Sequence, residues 1–321
     1  MKKALVVFLL AIFMATGAFA QTTVTGQAQV HLGLNMPLGG DSEFDNASWV
    51  GSFVHSQSWL RINRVGENTN GQLTWRADGV WRGWGRATVA DAIELEIGHI
   101  ELPWVQWSGN WLFGQSNSGV GAANSTVNPY FLFRTMGFYA GITEAGVLNG
   151  ATIGSRVTPG FFAGFAMPLD MMNLHFAFAG RAAPDVFSFM GTAQARAIDL
   201  GFASLGVNAT IYMNPELGFF VVSGGGPFAP LARGGSADNL FVLECLVDLR
   251  IPLATGSVHF ALGGVTNFDS DLDGFGLQAS LLWNLPLQGG FSIMPGLQYR
   301  TVIGTDAPDA LLIGVNLRYS F

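Results

Sequence analysis

Histidines and an acidic repeat are the residues of this chain best suited to metal or acid–base chemistry. The stretch Asp269-Ser-Asp-Leu-Asp-Gly274 opens like a calcium loop, but its twelfth position is Ser280, which cannot supply the bidentate carboxylate. The histidines have neither an HExxH motif nor a paired metal spacing; they are His31, His55, His99, His175 and His259. The sequence therefore predicts an acidic hairpin turn at 269–274, no metal and no cofactor.

Charged side chains form a second candidate set, and they alternate with apolar ones. Between Phe241 and Ile251 the odd positions are apolar, while Glu244, Asp248 and Arg250 take even positions. Successive side chains of a strand point to opposite faces, so period two predicts a strand with one apolar and one polar face. Arginine exposed to lipid at a bilayer midplane costs about 2–4 kcal/mol, so the charged faces of membrane-crossing strands must point away from lipid.

The same alternation recurs along most of the chain and predicts further strands. It is clear from about Thr22 to Leu34, from Gln72 to Trp81 and from Ala310 to Phe321. It is poorest from Tyr130 to Arg196, where short apolar runs are cut by turn residues at intervals of roughly ten positions. About 9–11 tilted residues suffice for a β-strand to cross a bilayer, so the predicted strands are long enough to span one.

The N-terminus predicts export. Basic residues Lys2 and Lys3, the apolar run from Ala4 to Phe13 and the small-x-small site Ala18-Phe-Ala20 form a secretory signal peptide over residues 1–20. The predicted mature chain is a single domain, residues 21–321, in which acids outnumber arginines and no lysine remains. It lacks the basic footprint of a nucleic-acid partner, and its single Cys245 excludes an internal disulfide framework.

Composition favours a membrane barrel over a soluble domain. Mean hydropathy is +0.35 with only 12% charged residues, yet no apolar run is long enough for a helical span. Such a balance suits a barrel whose outward residues meet lipid and whose inward residues meet water.

The closing stretch ends on Phe321, with Tyr319 two residues earlier on the same face. It resembles the C-terminal signal of bacterial outer-membrane β-barrel proteins of the porin type. The resemblance implies an all-β, antiparallel up-and-down transmembrane barrel, surrounded by lipid in the cell outer membrane of a Gram-negative-type envelope. It also implies recognition of the closing strand by the barrel assembly machinery, and a homotrimer. Both chain ends would lie on the periplasmic side, so the strand number is even: about 16, or about 14 if runs in the middle merge.

On the strands with clear alternation, the inward charges predict a polar pore lining. Arginine mixed with carboxylate on such a lining resembles the eyelet of diffusion porins. The predicted pore-lining residues are Arg76, Asp78, Glu94, Glu96, Glu244, Asp248, Arg250, His259, Arg300 and Arg318. A barrel of about 16 strands leaves an aqueous channel, whereas smaller barrels are filled by side chains. The sequence therefore predicts a porin for passive diffusion of small hydrophilic solutes or ions, and the excess of acids predicts a mild preference for cations.

Alternatives stay open from the sequence. The same inward charges could pair and plug the interior. Loops at Pro37–Asn46, Leu102–Asn128 and Gly224–Ala237 would serve a surface ligand-binding barrel without an open pore, and Leu102–Asn128 also resembles the loop that narrows general porins. A transporter of hydrophobic compounds would suit the aromatic and Met-rich middle of the chain, which includes Met171, Met172, Phe176, Phe178, Phe187 and Phe189.

Enzymatic barrels fit the sequence less well. Outer-membrane phospholipases carry His and Ser two residues apart on one face, and the position two residues after His55 is Gln57. In Gly119-Val-Gly121 the third glycine of a nucleotide fingerprint is replaced by Asn124. Cys245 falls on the apolar face and is expected to act as a small hydrophobe. The sequence therefore predicts no enzyme.

Overall fold

The computed structural model describes residues 21–38, 48–53, 58–77, 81–90, 92–101, 124–125, 127–144, 159–182, 187–213, 220–221, 241–268, 275–304 and 309–321. The predicted signal peptide and the acidic turn at 269–274 lie outside these residues. Within the described ranges, no helix is long and apolar enough to cross a membrane.

Sixteen strands form one sheet. In chain order they are β1 (Gln21–Leu38), β2 (Ser48–Phe53 and Trp59–Val65), β3 (Thr69–Arg76), β4 (Trp81–Ala90), β5 (Ile93–Glu101), β6 (Val127–Thr135), β7 (Phe138–Glu144), β8 (Pro159–Leu169), β9 (Met172–Ala182), β10 (Phe187–Asp199), β11 (Ser204–Met213), β12 (Phe241–Leu253), β13 (Gly256–Asn267), β14 (Phe275–Pro286), β15 (Phe291–Ile303) and β16 (Asp309–Ser320). The two parts of β2 count as one strand because both pair with β1.

The sheet closes into a barrel because its first and last strands pair. Strand β1 runs antiparallel to β16 from Gln27 opposite Ser320 to Leu38 opposite Asp309. Every other strand pairs antiparallel with its neighbours in chain order. The predicted all-β, up-and-down barrel of about 16 strands is therefore confirmed, and the 14-strand alternative is wrong. Closure leaves no unpaired sheet edge, which a barrel in lipid requires.

The two ends of the barrel differ in their connections. At one end the strands join through short turns, such as residues 66–68, 170–171 and the 3₁₀ turn Gln288–Gly290. The two-residue turn between β6 and β7 has positive φ at Met136 (47°) and Gly137 (85°), which matches the right-handed twist of the flanking strands. Both chain ends of the barrel, Gln21 and Phe321, lie at this short-turn end.

The longer connections join the strands at the opposite end. Two of them meet, because Asn124–Ser125 pairs antiparallel with Phe220–Val221 in a small second sheet. The first pair belongs to the predicted constriction loop, Leu102–Asn128, most of which lies outside the described residues. The predicted loop Gly224–Ala237 lies wholly outside them, as does Pro37–Asn46 beyond Leu38.

Strand boundaries differ from the sequence prediction in the early part of the barrel. Residues 66–71 are a run of turn-forming residues, Gly66-Glu-Asn-Thr-Asn-Gly71, but β3 already begins at Thr69. Turn-forming Asn70 and Gly71 join the strand because their backbones pair with β2 on one side and β4 on the other. The local preference of these residues for turns is weaker than the pairing available on both sides. The predicted strand Gln72–Trp81 is likewise two strands, since β3 ends at Arg76 and Trp81 begins β4.

Candidate functional site

The inner face of the barrel is the polar face of its strands. In β14, Gln278 and Ser280 are buried at 0% and 1% exposure, whereas the next residue, Leu281, is 43% exposed on the outer face. The same contrast separates Glu244 and Asp248 from Cys245, which is exposed. Outer apolar and inner polar side chains thus alternate as a membrane barrel requires.

The structure brings most of the predicted pore-lining residues to the inner face. Glu244, Asp248 and Arg300 are buried there, and Arg250 shares the face of Asp248 at the exposed end of β12. His259 lies 2.8 Å from the Ser257 hydroxyl, joining Nε2 and Oγ. Asp78 lies outside the described residues. The remaining predicted residues on this face are Arg76, Glu94, Glu96 and Arg318.

Glu96 is the centre of the best-defined charge cluster on the inner face. Its side chain is only 3% exposed, and its Oε2 lies 2.7 Å from Arg86 Nη2 and 3.3 Å from Arg134 Nε. The Tyr130 hydroxyl donates to the other carboxylate oxygen, Oε1, at 2.6 Å. Arg86 also contacts the more exposed Glu94 at 3.4 Å. A carboxylate with two guanidinium partners and a hydroxyl donor is fully bonded, so the cluster fixes β4, β5 and β6 to each other.

The cluster continues through aromatic side chains to β9. The Arg134 guanidinium lies 5.5 Å from the ring centre of Tyr139, and the Tyr139 hydroxyl is 2.9 Å from His175 Nε2. The two tyrosine rings are positioned by glycines on the neighbouring strands: Tyr130 lies across Gly98, and Tyr139 lies across Gly164. A Cβ on Gly98 would stand 2.7 Å from the Tyr130 hydroxyl. Glycine at these positions lets each ring lie flat on the wall.

Uncharged polar residues cover two further parts of the inner face. Thr192 donates to Asn208 Oδ1 at 3.0 Å, and Thr210 donates to Thr192 Oγ1 at 3.0 Å, so β10 and β11 share a small polar ladder. Near the seam, Gln29 contacts His31 at 2.9 Å and accepts from Arg318 Nε at 3.3 Å. These bonds satisfy polar groups that point away from the apolar outer face.

Sequence reasoning missed several inner-face residues: Arg61, Arg82, Arg86, Tyr130, Arg134, Tyr139 and His175. A local signal was present for two of them. Trp59 and Arg61 lie two positions apart, as do Trp84 and Arg86, so each pair shares one face. The structure stacks them, with Arg61 4.3 Å from the Trp59 ring centre and Arg86 5.1 Å from that of Trp84.

Two of the aromatic residues that suggested a transporter of hydrophobic compounds, Phe176 and Phe178, face outward. Phe176 is 49% exposed and Phe178 38% exposed on the outer face of β9. A shallow apolar groove of about 500 Å³ lies on this outer face, and its lining includes Phe133, Phe138, Phe165, Phe176 and Phe178. Met171 is 62% exposed in the turn before β9. These side chains therefore do not build the hydrophobic interior that a transporter of hydrophobic compounds would need.

A closed antiparallel barrel of sixteen strands, apolar outside and polar inside, is a transmembrane β-barrel of the porin type. No protein-family model matches the chain, and no curated protein matches its sequence. Solved structures do resemble it. They include a porin, an outer membrane channel and an outer membrane protein.

The anion-selective porin from Comamonas acidovorans has a TM-score of 0.59 at 11% identity, over 94% of this chain and 100% of that chain. The outer membrane channel DcaP of Acinetobacter baumannii has a TM-score of 0.63 at 12% identity, over 94% and 98%. The trimer form of in-vitro folded OmpT, an outer membrane protein of Vibrio cholerae, has a TM-score of 0.57 at 10% identity, over 95% and 100%. At such identities the likeness concerns the fold, since one fold can carry many functions.

Proposed function

We propose that the protein is an outer-membrane porin through which small hydrophilic solutes or ions diffuse passively. The observation that carries the proposal is a barrel of sixteen strands whose inner face is polar. Sixteen strands enclose a barrel wide enough for an aqueous channel, and its inner face carries charged and hydrogen-bonding side chains. The residues proposed to line the pore are those predicted from the sequence, together with Arg61, Arg82, Arg86 and Arg134.

The location and assembly belong to the same proposal. Residues 1–20 act as the export signal, and the closing strand that ends in Phe321 engages the barrel assembly machinery in the cell outer membrane. Outer-membrane lipid covers the apolar face, which includes Leu281, Leu297 and Leu317. A homotrimer is the expected assembly, in line with the trimer form of the structurally similar Vibrio cholerae protein.

Planar-bilayer recording tests the proposal directly. The full mature chain, refolded in detergent, is added to one side of a bilayer in KCl, and stepwise increases in current are expected. Heat-denatured protein in the same detergent is the control and should give no steps. Folded protein that inserts without any stepwise conductance would overturn the pore function and would favour a plugged or ligand-binding barrel.

A further inference from the structure

Arginine is concentrated on the inner face of the barrel. Among the arginines whose side chains the structure describes, only Arg64 lies on the outer face, beside exposed Val65 at the short-turn end of β2. The inner-face arginines are Arg61, Arg76, Arg82, Arg86, Arg134, Arg196, Arg250, Arg300 and Arg318. The described acids on the same face are fewer: Glu94, Glu96, Asp199, Glu244 and Asp248.

Most of the acids of the chain are not among the described side chains of the inner face. More than half of the 22 acids belong to segments that join strands and lie outside the described residues. These are Asp41, Glu43, Asp45, Asp78, Asp91, Asp185, Glu216, Asp238, Asp269, Asp271, Asp273 and Asp306. The net charge of the whole chain, −7, therefore differs in sign from the balance on the described part of the inner face, where arginines outnumber acids.

The imbalance is greatest over six neighbouring strands, β15, β16 and β1 to β4. On the inner face of these strands the described side chains include no acid, and they include Arg61, Arg76, Arg82, Arg86, Arg300 and Arg318. We call this set the arginine arc. Within the arc, Arg82 and Arg86 lie on β4, which borders the acidic strand β5, and Arg86 bonds Glu96 there.

Three members of the arc surround Thr74. Arg61 on β2 and Arg82 on β4 are both directly opposite Thr74 in the strand register, where Cβ atoms lie about 4.5–5.5 Å apart. Arg76 follows Thr74 by two positions on the same face of β3. Arg61 donates from Nε to Thr74 Oγ1 at 3.4 Å and stacks on Trp59. Three arginine positions thus surround Thr74 on the inner face, and one of the three, Arg61, bonds its hydroxyl.

Such a cluster has an electrostatic consequence. Arg61 and Arg82 flank Thr74 from the two neighbouring strands, so the cluster places three positive charges on one part of the inner face. Planar guanidinium groups suit the oxygens of phosphate or carboxylate. In a water-filled channel bounded by a low-dielectric wall, a row of one sign of charge concentrates the opposite ion.

We infer that the pore selects small anions, with the arginine arc as its selective wall and the Thr74 cluster as an anion-binding step. The inference rests on the proposed pore function and names its class of solute. It reverses the preference for cations predicted from the excess of acids, because those acids belong mostly to connections while the arginines belong to strands. Phosphate and small carboxylates are the expected solutes by chemistry.

Reversal potentials across a KCl gradient test the inference. The wild-type channel is expected to be anion-selective, and R61Q/R76Q/R82Q should lower the chloride-to-potassium permeability ratio on the order of fivefold, the factor for one unit-charge interaction at 4 Å in water. Inorganic phosphate should reduce the KCl current of the wild type at lower concentration than that of the triple variant. R61Q alone should also lower the permeability ratio and weaken the block by phosphate, so it provides the test if the triple variant does not fold. R64Q removes the same charge three residues away on the outer face and should leave both readouts unchanged.

The outcomes separate the two proposals. Anion selectivity that falls in R61Q but not in R64Q supports the inference. A conducting channel that is cation-selective or non-selective, or one that R64Q alters as much as R61Q, overturns the inference and leaves the pore function standing. Folded protein without conductance overturns the pore function and the inference together.

Discussion

The ring of Phe321 lies on Gly26, and the two residues exchange both backbone hydrogen bonds. Gly26 N donates to Phe321 O at 2.9 Å, and Phe321 N donates to Gly26 O at 3.1 Å. A Cβ on Gly26 would overlap the Phe321 ring. Because β1 and β16 meet here, the terminal aromatic residue completes the closure of the barrel. The sequence predicted Phe321 as an assembly signal, and in the folded barrel it also holds the seam between the first and last strands.

Replacing Gly26 by Val should weaken the barrel at this seam. Val favours strands and Gly does not, so intrinsic preference alone would make the change stabilising. We expect instead a loss of about 1–3 kcal/mol in the free energy of unfolding, the usual cost of overpacking, because the new side chain must displace the Phe321 ring. Urea unfolding of the lipid-inserted barrel, followed by Trp fluorescence, measures the loss.

Two further variants serve as controls for the predicted effect of G26V. Gly85 has nothing within 4 Å of the place a Cβ would take, so G85V should be neutral or stabilising. In an F321A background, G26V should lose much of its cost, since the two positions interact directly. Equal effects of G26V and G85V would show that the ring contact contributes nothing to closure.

Glu96 should contribute far more to stability than Glu94, although both contact Arg86. E96Q leaves Arg86 and Arg134 beside a neutral amide that is 3% exposed, and breaking a buried charge pair costs about 3–5 kcal/mol. Glu94 is 33% exposed with a single contact at 3.4 Å, so E94Q should cost about 0–1 kcal/mol. Urea titrations of the two variants provide the comparison, and similar losses would contradict the central role assigned to Glu96.

Strands such as β12 and β14 were predictable from the sequence because their two faces differ in polarity. In β14 and β12 the inner positions hold Gln278 and Glu244, and the outer ones Leu281 and Val247, so period two is visible residue by residue. Closure and strand number then follow from counting such strands. The long connections carry no periodic pattern, so their paths were not predictable.

The middle of the chain was harder to interpret, because there both faces are apolar. Leu132, Phe162 and Met190 are 0–2% exposed on the inner face, while Phe131 and Phe161 lie on the outer face. Alternation of polarity disappears when apolar residues occupy both faces, although the backbone still alternates. The charge cluster around Glu96 was missed for a different reason: Arg86 and Arg134 come from strands 48 positions apart in sequence, and only the strand register brings them to one carboxylate.

Cys245 gives a chemical test of which face meets lipid. Its thiol is exposed on the outer face of β12, so in outer membranes a water-soluble maleimide should react with it slowly. E94C in a C245A background places a thiol on the inner face at a position with a 33% exposed side chain, and we expect it to be labelled at least tenfold faster, a difference of about 1.4 kcal/mol in accessibility. Mass spectrometry of labelled protein gives both rates. After unfolding in urea the two thiols should react alike; faster labelling of Cys245 in the intact membrane would reverse the assignment of faces.

Phe176 tests the same assignment in the aromatic middle, where the sequence left an interior hydrophobic path open. The side chain is 49% exposed on the outer face of β9, and its strand partner Phe165 lines the same apolar groove. Arginine on a lipid-facing strand costs about 2–4 kcal/mol near the midplane, so F176R should lower the free energy of unfolding by that amount. M136R is the matched control, since Met136 is 81% exposed in a turn at the barrel end, where a surface change should stay within about 0.5 kcal/mol. If F176R were as mild as M136R, Phe176 would not meet lipid, and the case for a hydrophobic transport path would return.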